Sequence, residues 1–309
     1  MQAITKSLLP KSILLVVVSI GLISNVFAGG HQNGGADAPT PTHLAIKNQK
    51  ALQIFSDEFT DRMDSKFFGR VKEMNGSLEF EDRFEETEWA SYKLRVTRGD
   101  VMEKAGRMFS DGKKLSPGRG DGELTWGRFY SLDMHPKTPL VGMLHATIVL
   151  QMFKDNTVFA GGWLGVMPGA KVDIDLAKLK KLTDDYFAQH AKDPNLYRRL
   201  ICKGTHDTVT EFRRKPACSG VSFYGPQVYP EDPAASFRFI AGLFELFTDA
   251  YMDITEERAD DAFTAADLEA QDVMRRRWLI DQLFSDPFAS AIIAFDIWSF
   301  ANVPPVVKF

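Results

Sequence analysis

The sequence has few cysteines and no excess of basic residues, and each shortage argues against a class of protein. Two Cys in 309 residues cannot form a disulfide-based scaffold or a zinc site with four thiolates. Lys and Arg number 37 against 41 Asp and Glu, and the net charge of −4 argues against a dedicated nucleic-acid binder. The composition, 44% hydrophobic and 25% charged, is that of a globular protein rather than a disordered, collagen-like or coiled-coil one.

Familiar catalytic and nucleotide-binding motifs are also missing. The chain contains no HExxH, CxxC or GxSxG motif, and no GxxxxGK[ST] or GxGxxG stands between a strand and a helix. Phe is abundant instead, with 24 residues. This abundance predicts a large buried core and is compatible with an aromatic ligand pocket.

Residues 1–28 have the pattern of a Sec-type signal peptide. Lys6 and Lys11 are the only charged side chains before residue 37, the apolar run 13–23 follows them, and a small residue, Ala28, ends the segment. The run is shorter than the roughly 20 residues of a membrane-spanning helix, and no Cys follows it for lipid attachment. We predict cleavage after Ala28 and export to the periplasm without a stable membrane anchor.

Residues 29–42 are predicted to be a flexible lead-in, because Gly, Pro and polar residues dominate them. A single folded domain is predicted for residues 43–309, since no linker or repeat divides them. An exported compartment permits disulfides, so Cys202 and Cys218 are candidates for a bond. Sequence alone leaves open whether their Cα atoms are close enough.

The body of the chain mixes helical and strand-like patterns. Apolar spacing predicts a helix over residues 43–74, with Thr42 as its N-cap. The later segments predict strands within 77–110 and at 129–134, 143–153 and 158–166, helices at 173–201 and 237–251, a short strand at 219–225, a helix beginning at Thr264 with a capping box to Asp267, and a late strand at 292–298. Together they predict one α+β domain.

Two histidines flank a turn-prone segment. His135 and His145 stand on either side of residues 136–139, and His145 falls in a predicted strand. Two imidazoles at the ends of a strand–turn–strand unit can face one cleft and exchange protons near neutral pH. The alternative is a hydrogen-bonded core histidine and an ordinary turn histidine, which spacing alone favours.

Basic clusters and one acid are further candidates. Residues 213–215 and 275–277 could bind carboxylates through bidentate contacts, or they could be solvated faces. Asp286 lies between aromatic residues, where burial could raise its pKa. An Asp before a Pro can equally cap a turn. Both interpretations stay open for each feature.

The order of several motifs resembles that of the oxygen-dependent coproporphyrinogen III oxidase family. Residues 99–110 (GDVMEKAGRMFS) resemble the family's GxVFEKAGVNFS, and residues 131–146 keep the spacing of one Ser, two His and two Pro in SLVxHPxNPxVPTxHx. Residues 159–163 resemble the next, glycine-rich strand, residues 244–251 resemble a later helix region, and Gln271, Arg275, Arg277, Leu283, Asp286 and Pro304-Pro305 fit the last motif block. The resemblance covers most of residues 85–305.

The resemblance implies a large flat antiparallel sheet with helices on both faces, assembled as a homodimer. It implies oxidative decarboxylation of two propionates of coproporphyrinogen III to vinyls, with O₂ as co-substrate and no organic cofactor. His145 matches the general acid/base, Ser131 and His135 line the substrate site, and Asp286 lies near the pyrrole nitrogens. Some bacterial relatives are described as using a divalent metal held by histidines, which makes His135 and His145 candidate ligands.

Several charged positions of the family are replaced in this chain. The Arg that follows the second His is missing from 147–149, the acid after the glycine-rich strand is Leu164, and the paired Asp is Gly225-Pro226. Burying unpaired carboxylates costs several kcal/mol each. A substrate with four propionates would therefore need other partners, for which Arg275, Arg277 and Arg213 are candidates.

Two functional hypotheses follow. The retained Ser131, His135, His145 and Asp286 favour a coproporphyrinogen-oxidase-like enzyme of porphyrin and haem biosynthesis. The replaced charged positions, together with export, favour a non-catalytic paralogue that binds a tetrapyrrole or haem outside the cytoplasm.

Overall fold

The computed structural model describes residues 42–77, 79–115, 122–202, 215–284 and 293–309, with the backbone alone for Leu200 and Phe284. Within these residues the strands are β1 (Thr42–His43), β2 (Glu81–Glu86), β3 (Ala90–Thr97), β4 (Met102–Gly112), β5 (Leu124–Pro136), β6 (Met143–Phe153), β7 (Thr157–Met167) and β8 (Val221–Ser222). The helices are α1 (Ile46–Asn75), α2 (Asp173–Gln189), α3 (Asn195–Cys202), α4 (Pro233–Glu257), α5 (Ala265–Phe284) and α6 (Phe295–Asn302).

Strands β2 to β7 form a meander in which each strand pairs antiparallel with the next along the chain. Strands β1 and β8 both pair with β7. The predicted α+β fold with one large antiparallel sheet is confirmed. The predicted lead-in ends one residue early, since Thr42 already pairs with Val158 in β1.

Alternation along the central strands gives the sheet an apolar face. Leu132, Leu144 and Ile148 lie on it with at most 2% exposure, and α1 and α4 pack against it. Phe59 of α1 meets Phe244 of α4 edge to face, with 5.7 Å between ring centroids. Each fully buried side chain of this kind contributes about 1.5–3 kcal/mol to stability. The core of the molecule therefore lies on this side of the sheet.

The opposite face of the sheet carries Lys104, Ser131, Asp133, His135 and His145, and we call it the polar face. Helix α6 covers its β3–β4 side, and α5 covers the ends of β6 and β7. Helices therefore pack on both faces of the sheet, as predicted.

Three predicted local features are wrong. The single helix predicted at 173–201 is divided into α2 and α3 by the non-helical residues 190–194. Thr42 does not cap α1, which begins at Ile46 after Ala45 without a side-chain cap; the Thr42 hydroxyl donates to the carbonyl of Pro230. The strand predicted at 292–298 is replaced by α6 from Phe295 onward. A short apolar run has no periodicity that separates strand from helix.

Packing explains why this last segment is helical. Trp298 and Ala301, three residues apart, lie on one helix face and are buried against Leu94 of β3 and Met108 of β4. A strand would send alternate side chains to opposite sides and could not bury this pair together.

The predicted capping box is confirmed, and the structure pairs the two cysteines whose bond the sequence left open. The amide and hydroxyl of Thr264 donate to the carboxylate of Asp267, whose own amide donates back to the Thr264 hydroxyl, forming the predicted capping box. Cys202 and Cys218 form a disulfide with Cα atoms 5.3 Å apart.

None of the helices in the described ranges is long and apolar enough to cross a membrane. Residues 1–41 lie outside those ranges, so the signal peptide stays a prediction.

Gly106 of β4 sets how closely α6 approaches the sheet. A Cβ at Gly106 would lie 2.0 Å from the backbone oxygen of Ala301, whereas one at Gly69 in α1 would meet nothing within 4 Å. We expect Gly106→Ala to lower the free energy of unfolding by about 1–3 kcal/mol because α6 must move. The matched Gly69→Ala variant should raise it by roughly 0.5–1 kcal/mol through helix propensity. Urea unfolding measures both, and effects of the same sign would contradict this packing.

Candidate active site

Three polar residues of β5 point to the polar face, because side chains two apart on a strand share a face. Ser131, Asp133 and His135 occupy these alternate positions and are at most 1% exposed. The sheet register places Thr147 opposite Ser131, His145 opposite Asp133 and Lys104 opposite His135. The two histidines of the strand–turn–strand unit therefore share one surface.

His145 and Asp133 form a buried hydrogen-bonded pair. Nδ1 of His145 lies 2.9 Å from Oδ1 of Asp133, with His145 6% and Asp133 0% exposed. An ionised carboxylate only accepts, so Nδ1 of His145 is the donor in this pair, and Nε2 is the ring nitrogen left to exchange a proton with a ligand. The Trp278 ring packs against the imidazole, with 5.0 Å between ring centroids. The pair is thus oriented for proton transfer at Nε2.

Several buried polar atoms beside this pair have no hydrogen-bond partner among the described residues. They are Oγ of Ser131, Oδ2 of Asp133 and both ring nitrogens of His135, although the backbone of Asn302 lies close enough to the His135 ring to raise its pKa. Each buried polar atom without a partner costs about 1–3 kcal/mol, and native proteins contain few of them. Residues two apart on a strand are roughly 7 Å apart, so the row suits a molecule with polar groups at that spacing.

Burial lowers the pKa of His135 well below its usual range. The positive charges of Lys104 and Arg275 lower this pKa further, while the backbone of Asn302 opposes the change. His135 is therefore neutral at physiological pH, with one donor and one acceptor nitrogen. It can hold both kinds of polar group on a ligand.

Burial also lowers the pKa of Lys104 to about 7, and the positive charge of Arg98 adds to the effect. Its Nζ donates to the backbone carbonyls of Ser299 and Val303 at the end of α6. Cations are favoured at a helix C-terminus by the helix dipole. Lys104 thus ties α6 to β4 beside His135.

Helix α5 holds the turn between β5 and β6. The side-chain amide of Gln271 donates to the carbonyls of Pro136 and Thr138, at 3.3 and 3.2 Å. Arg275 donates to Oε2 of Glu103 and, at 3.4 Å, to the carbonyl of Pro136. Glu103 therefore neutralises Arg275, one of the three cations considered as replacement partners for the substrate's propionates.

The predicted site residues do not all lie together. Ser131, His135 and His145 share the polar face, and Arg275 adjoins His135 closely enough to lower its pKa. Arg277 lies on another side of α5, because residues two apart on a helix do not face each other, and it lines a separate cleft. Asp286 lies outside the described residues, and its role stays a prediction.

Sequence reasoning missed Asp133 and Lys104. Asp133 alternates with Ser131 and His135, so the strand period was the signal that pointed to it. It also stands where the family motif has Val. No comparable signal marks Lys104, because a register shift between Met102 and Lys104 decides where its side chain lies.

An apolar pocket lies further along the same face, away from His145. Its lining includes Tyr92, Phe129 and Val149, and its polar groups are Ser110, Gln151 and the cations Lys114 and Arg128. The register continues these positions from the polar-face residues of β3 to β6. One sheet face thus offers a polar row and an aromatic pocket, which suits an amphipathic ligand with an apolar body.

The described part of the chain contains no group of three or more His, Cys, Asp or Glu side chains arranged to hold a metal ion. Ligation by His135 and His145 stays a prediction. Because Asp133 occupies Nδ1 of His145, Nε2 is the ring nitrogen left for a metal. No protein-family model matches the chain.

Proposed function

We propose that the protein is a coproporphyrinogen-oxidase-like enzyme that converts propionate side chains of a reduced tetrapyrrole to vinyls. The observation that carries the proposal is the buried row of Ser131, Asp133 and His135 facing His145 across the strand pair. The colinear motifs and the antiparallel sheet with helices on both faces support the same assignment. Export of the enzyme rests on the N-terminal pattern and is part of the proposal.

The chemistry needs a mobile proton and an electron acceptor. The balanced change at one side chain is R–CH₂–CH₂–COO⁻ + O₂ + H⁺ → R–CH=CH₂ + CO₂ + H₂O₂. The bond to the carboxylate breaks, a hydrogen leaves the neighbouring carbon, and two electrons reduce O₂. His145 takes up a proton from the pyrrole or the side chain at Nε2, and the Asp133 carboxylate stabilises the imidazolium that forms.

Aerobic turnover tests the proposal. We expect the purified protein to convert coproporphyrinogen III to protoporphyrinogen, detected by chromatography as protoporphyrin, above the rate without protein. His145→Ala should abolish the product, whereas His43→Ala, which changes an exposed histidine of β1, should leave the rate unchanged. Folded protein that yields no product would overturn the proposed reaction.

Non-catalytic binding of a tetrapyrrole or haem is the second candidate function. Val149 stands where the family has an Arg, and it lines the apolar pocket rather than offering a cation. Arg275 is paired with Glu103. These two observations favour a ligand with fewer carboxylates near His145. A Soret-band change on porphyrin or haem titration without turnover would support this candidate, and no change would contradict it.

A further inference from the structure

A cleft of about 640 Å³ lies between α5, the start of α2 and residues 215–218. This volume is within the usual range for small-ligand sites. Helix α5 contributes one stripe of side chains to it, at Ala266, Ala270, Val273 and Arg277. The cleft is separate from the polar-face row, since none of that row's residues lines it.

Each basic cluster noted in the sequence contributes one side chain to this cleft. Arg277 comes from residues 275–277 and Lys215 from residues 213–215, and Lys171 joins them. Arg275 and Arg276 point elsewhere, to a carboxylate and a backbone carbonyl. Among the described residues the three lining cations have no ion-pair partner, although most other basic side chains there have one.

Two acids, Asp173 and Glu269, also line the cleft. Asp173 lies in the first turn of α2, where the helix dipole favours a carboxylate. Glu269 precedes Arg277 by two turns, about 12 Å along α5. Three positive charges against two negative ones leave the lining net positive, so it favours an anion over a cation.

Fixed contacts make the cleft a preformed site. The disulfide of Cys218 ties the 215–218 wall to the end of α3. The amide of Ala217 donates to the carbonyl of Val166 in β7 at 2.8 Å. Gly169 approaches α5 so closely that a Cβ there would lie 2.9 Å from the Cα of Gln271. Preformed walls reduce the ordering cost of binding.

The rest of the lining is largely aliphatic. Leu176 of α2 and Ala270, Val273 and Met274 of α5 provide apolar surface between the charged groups. We propose that this cleft binds an organic anion with an aliphatic body, of the class of medium-chain carboxylates. Its carboxylate pairs with the cations Arg277, Lys215 and Lys171, and its chain covers the aliphatic stripe.

Calorimetric titration with decanoate, decylammonium and decanol tests the site. Decanoate should bind most tightly, and Arg277→Gln should weaken its binding about tenfold, the effect of losing one charge-assisted hydrogen bond. Arg276→Gln is the matched control. Arg276 is the neighbour of Arg277 in the chain, but its guanidinium donates to the carbonyl of Lys308 outside the cleft. Lys215→Gln, at an exposed position, provides a second variant if Arg277→Gln does not fold.

Three titration results would overturn the proposal. They are an absence of decanoate binding, equal loss of affinity in Arg277→Gln and Arg276→Gln, and decylammonium or decanol binding as tightly as decanoate. Amide shifts of Gly169, Ala217 and Ala270 on titration locate the bound chain by NMR. Shifts confined to the polar-face row would place decanoate in the wrong site and would also count against the proposal. None of these outcomes depends on turnover of a tetrapyrrole.

Discussion

Replacing Asp133 by Asn is expected to lower kcat for coproporphyrinogen III by at least about 10²-fold, the usual lower bound for a general acid–base contribution. Asn carries an N–H donor that can face Nδ1 of His145, which moves the ring proton to Nε2. The nitrogen that should accept the substrate proton is then blocked. KM should change little, because the imidazole stays in place against Trp278.

The position of the ring proton of His145 distinguishes two roles of Asp133. It should change if Asp133 orients the imidazole, and it should stay the same if Asp133 only stabilises the fold. Long-range ¹⁵N–¹H NMR should show the proton on Nδ1 in the native protein and on Nε2 in Asp133→Asn. Asp111→Asn, which changes a carboxylate of β4 paired with Arg128, should leave both the tautomer and kcat unchanged. An unchanged kcat with a reversed tautomer would remove His145 from the chemistry. An unchanged tautomer would show that Asp133 does not orient the ring.

Replacing Lys104 by Met is expected to change how stability depends on pH. The folded-state pKa of Lys104 is lowered to about 7, whereas a lysine in the unfolded chain keeps its ordinary pKa of 10.5. Between these values the unfolded chain binds more protons, so this residue makes the native protein more stable as pH rises. The effect is lost in the Met variant, and the stability difference between the two proteins should change by up to about 1.4 kcal/mol per pH unit.

Urea unfolding at pH 7, 8, 9 and 10 measures this difference. The free energy of unfolding of the native protein, relative to that of Lys104→Met, should increase with each step in pH. The total increase over the range should be a few kcal/mol. Lys72→Met, which changes an exposed lysine in the last turn of α1, controls for the loss of a lysine as such. A stability difference for Lys104→Met that stays constant from pH 7 to 10 would contradict the buried position of this amine.

The fold was largely predictable because apolar and polar residues alternate along its strands with a period of two. One face of the sheet is therefore apolar and packs against helices. That period also identified β5 and β6 as neighbours joined by a short turn, which brought His135 and His145 to one face. The period failed at α6, where Trp298 and Ala301 take a helical spacing that only packing on β3 and β4 selects. It also failed at Thr42, whose strand pairing with Val158 depends on a partner over a hundred residues away.

The candidate site was predictable only in part. Ser131, His135 and His145 were identified from motif spacing, but Asp133, whose carboxylate orients His145, was not recognised. The acid assigned to the site from sequence was Asp286, near the pyrrole nitrogens of the substrate. A hydrogen bond across a strand pair depends on register, which a sequence pattern specifies only once both strands are aligned. Arg275 and Arg277 carry the same side chain but point in different directions from α5. Arg275 forms an ion pair with Glu103, whereas Arg277 lines a separate cleft, and the rotation of the helix decides which residue takes which role.

The meander has a consequence for the order in which the chain folds during synthesis. β2 to β7 pair in the order in which they are made, so each new strand finds its neighbour already present and closes only a short loop. Helix α1 is made before all of them, yet its Lys66 and Arg70 pair with Glu245 and Asp253 of α4, at separations of 179 and 183 residues. The apolar side of α1, including Phe59, therefore has no helical partner until α4 is complete. We expect the nascent chain to expose this stripe longest, and chaperones that shield apolar surface to act there first.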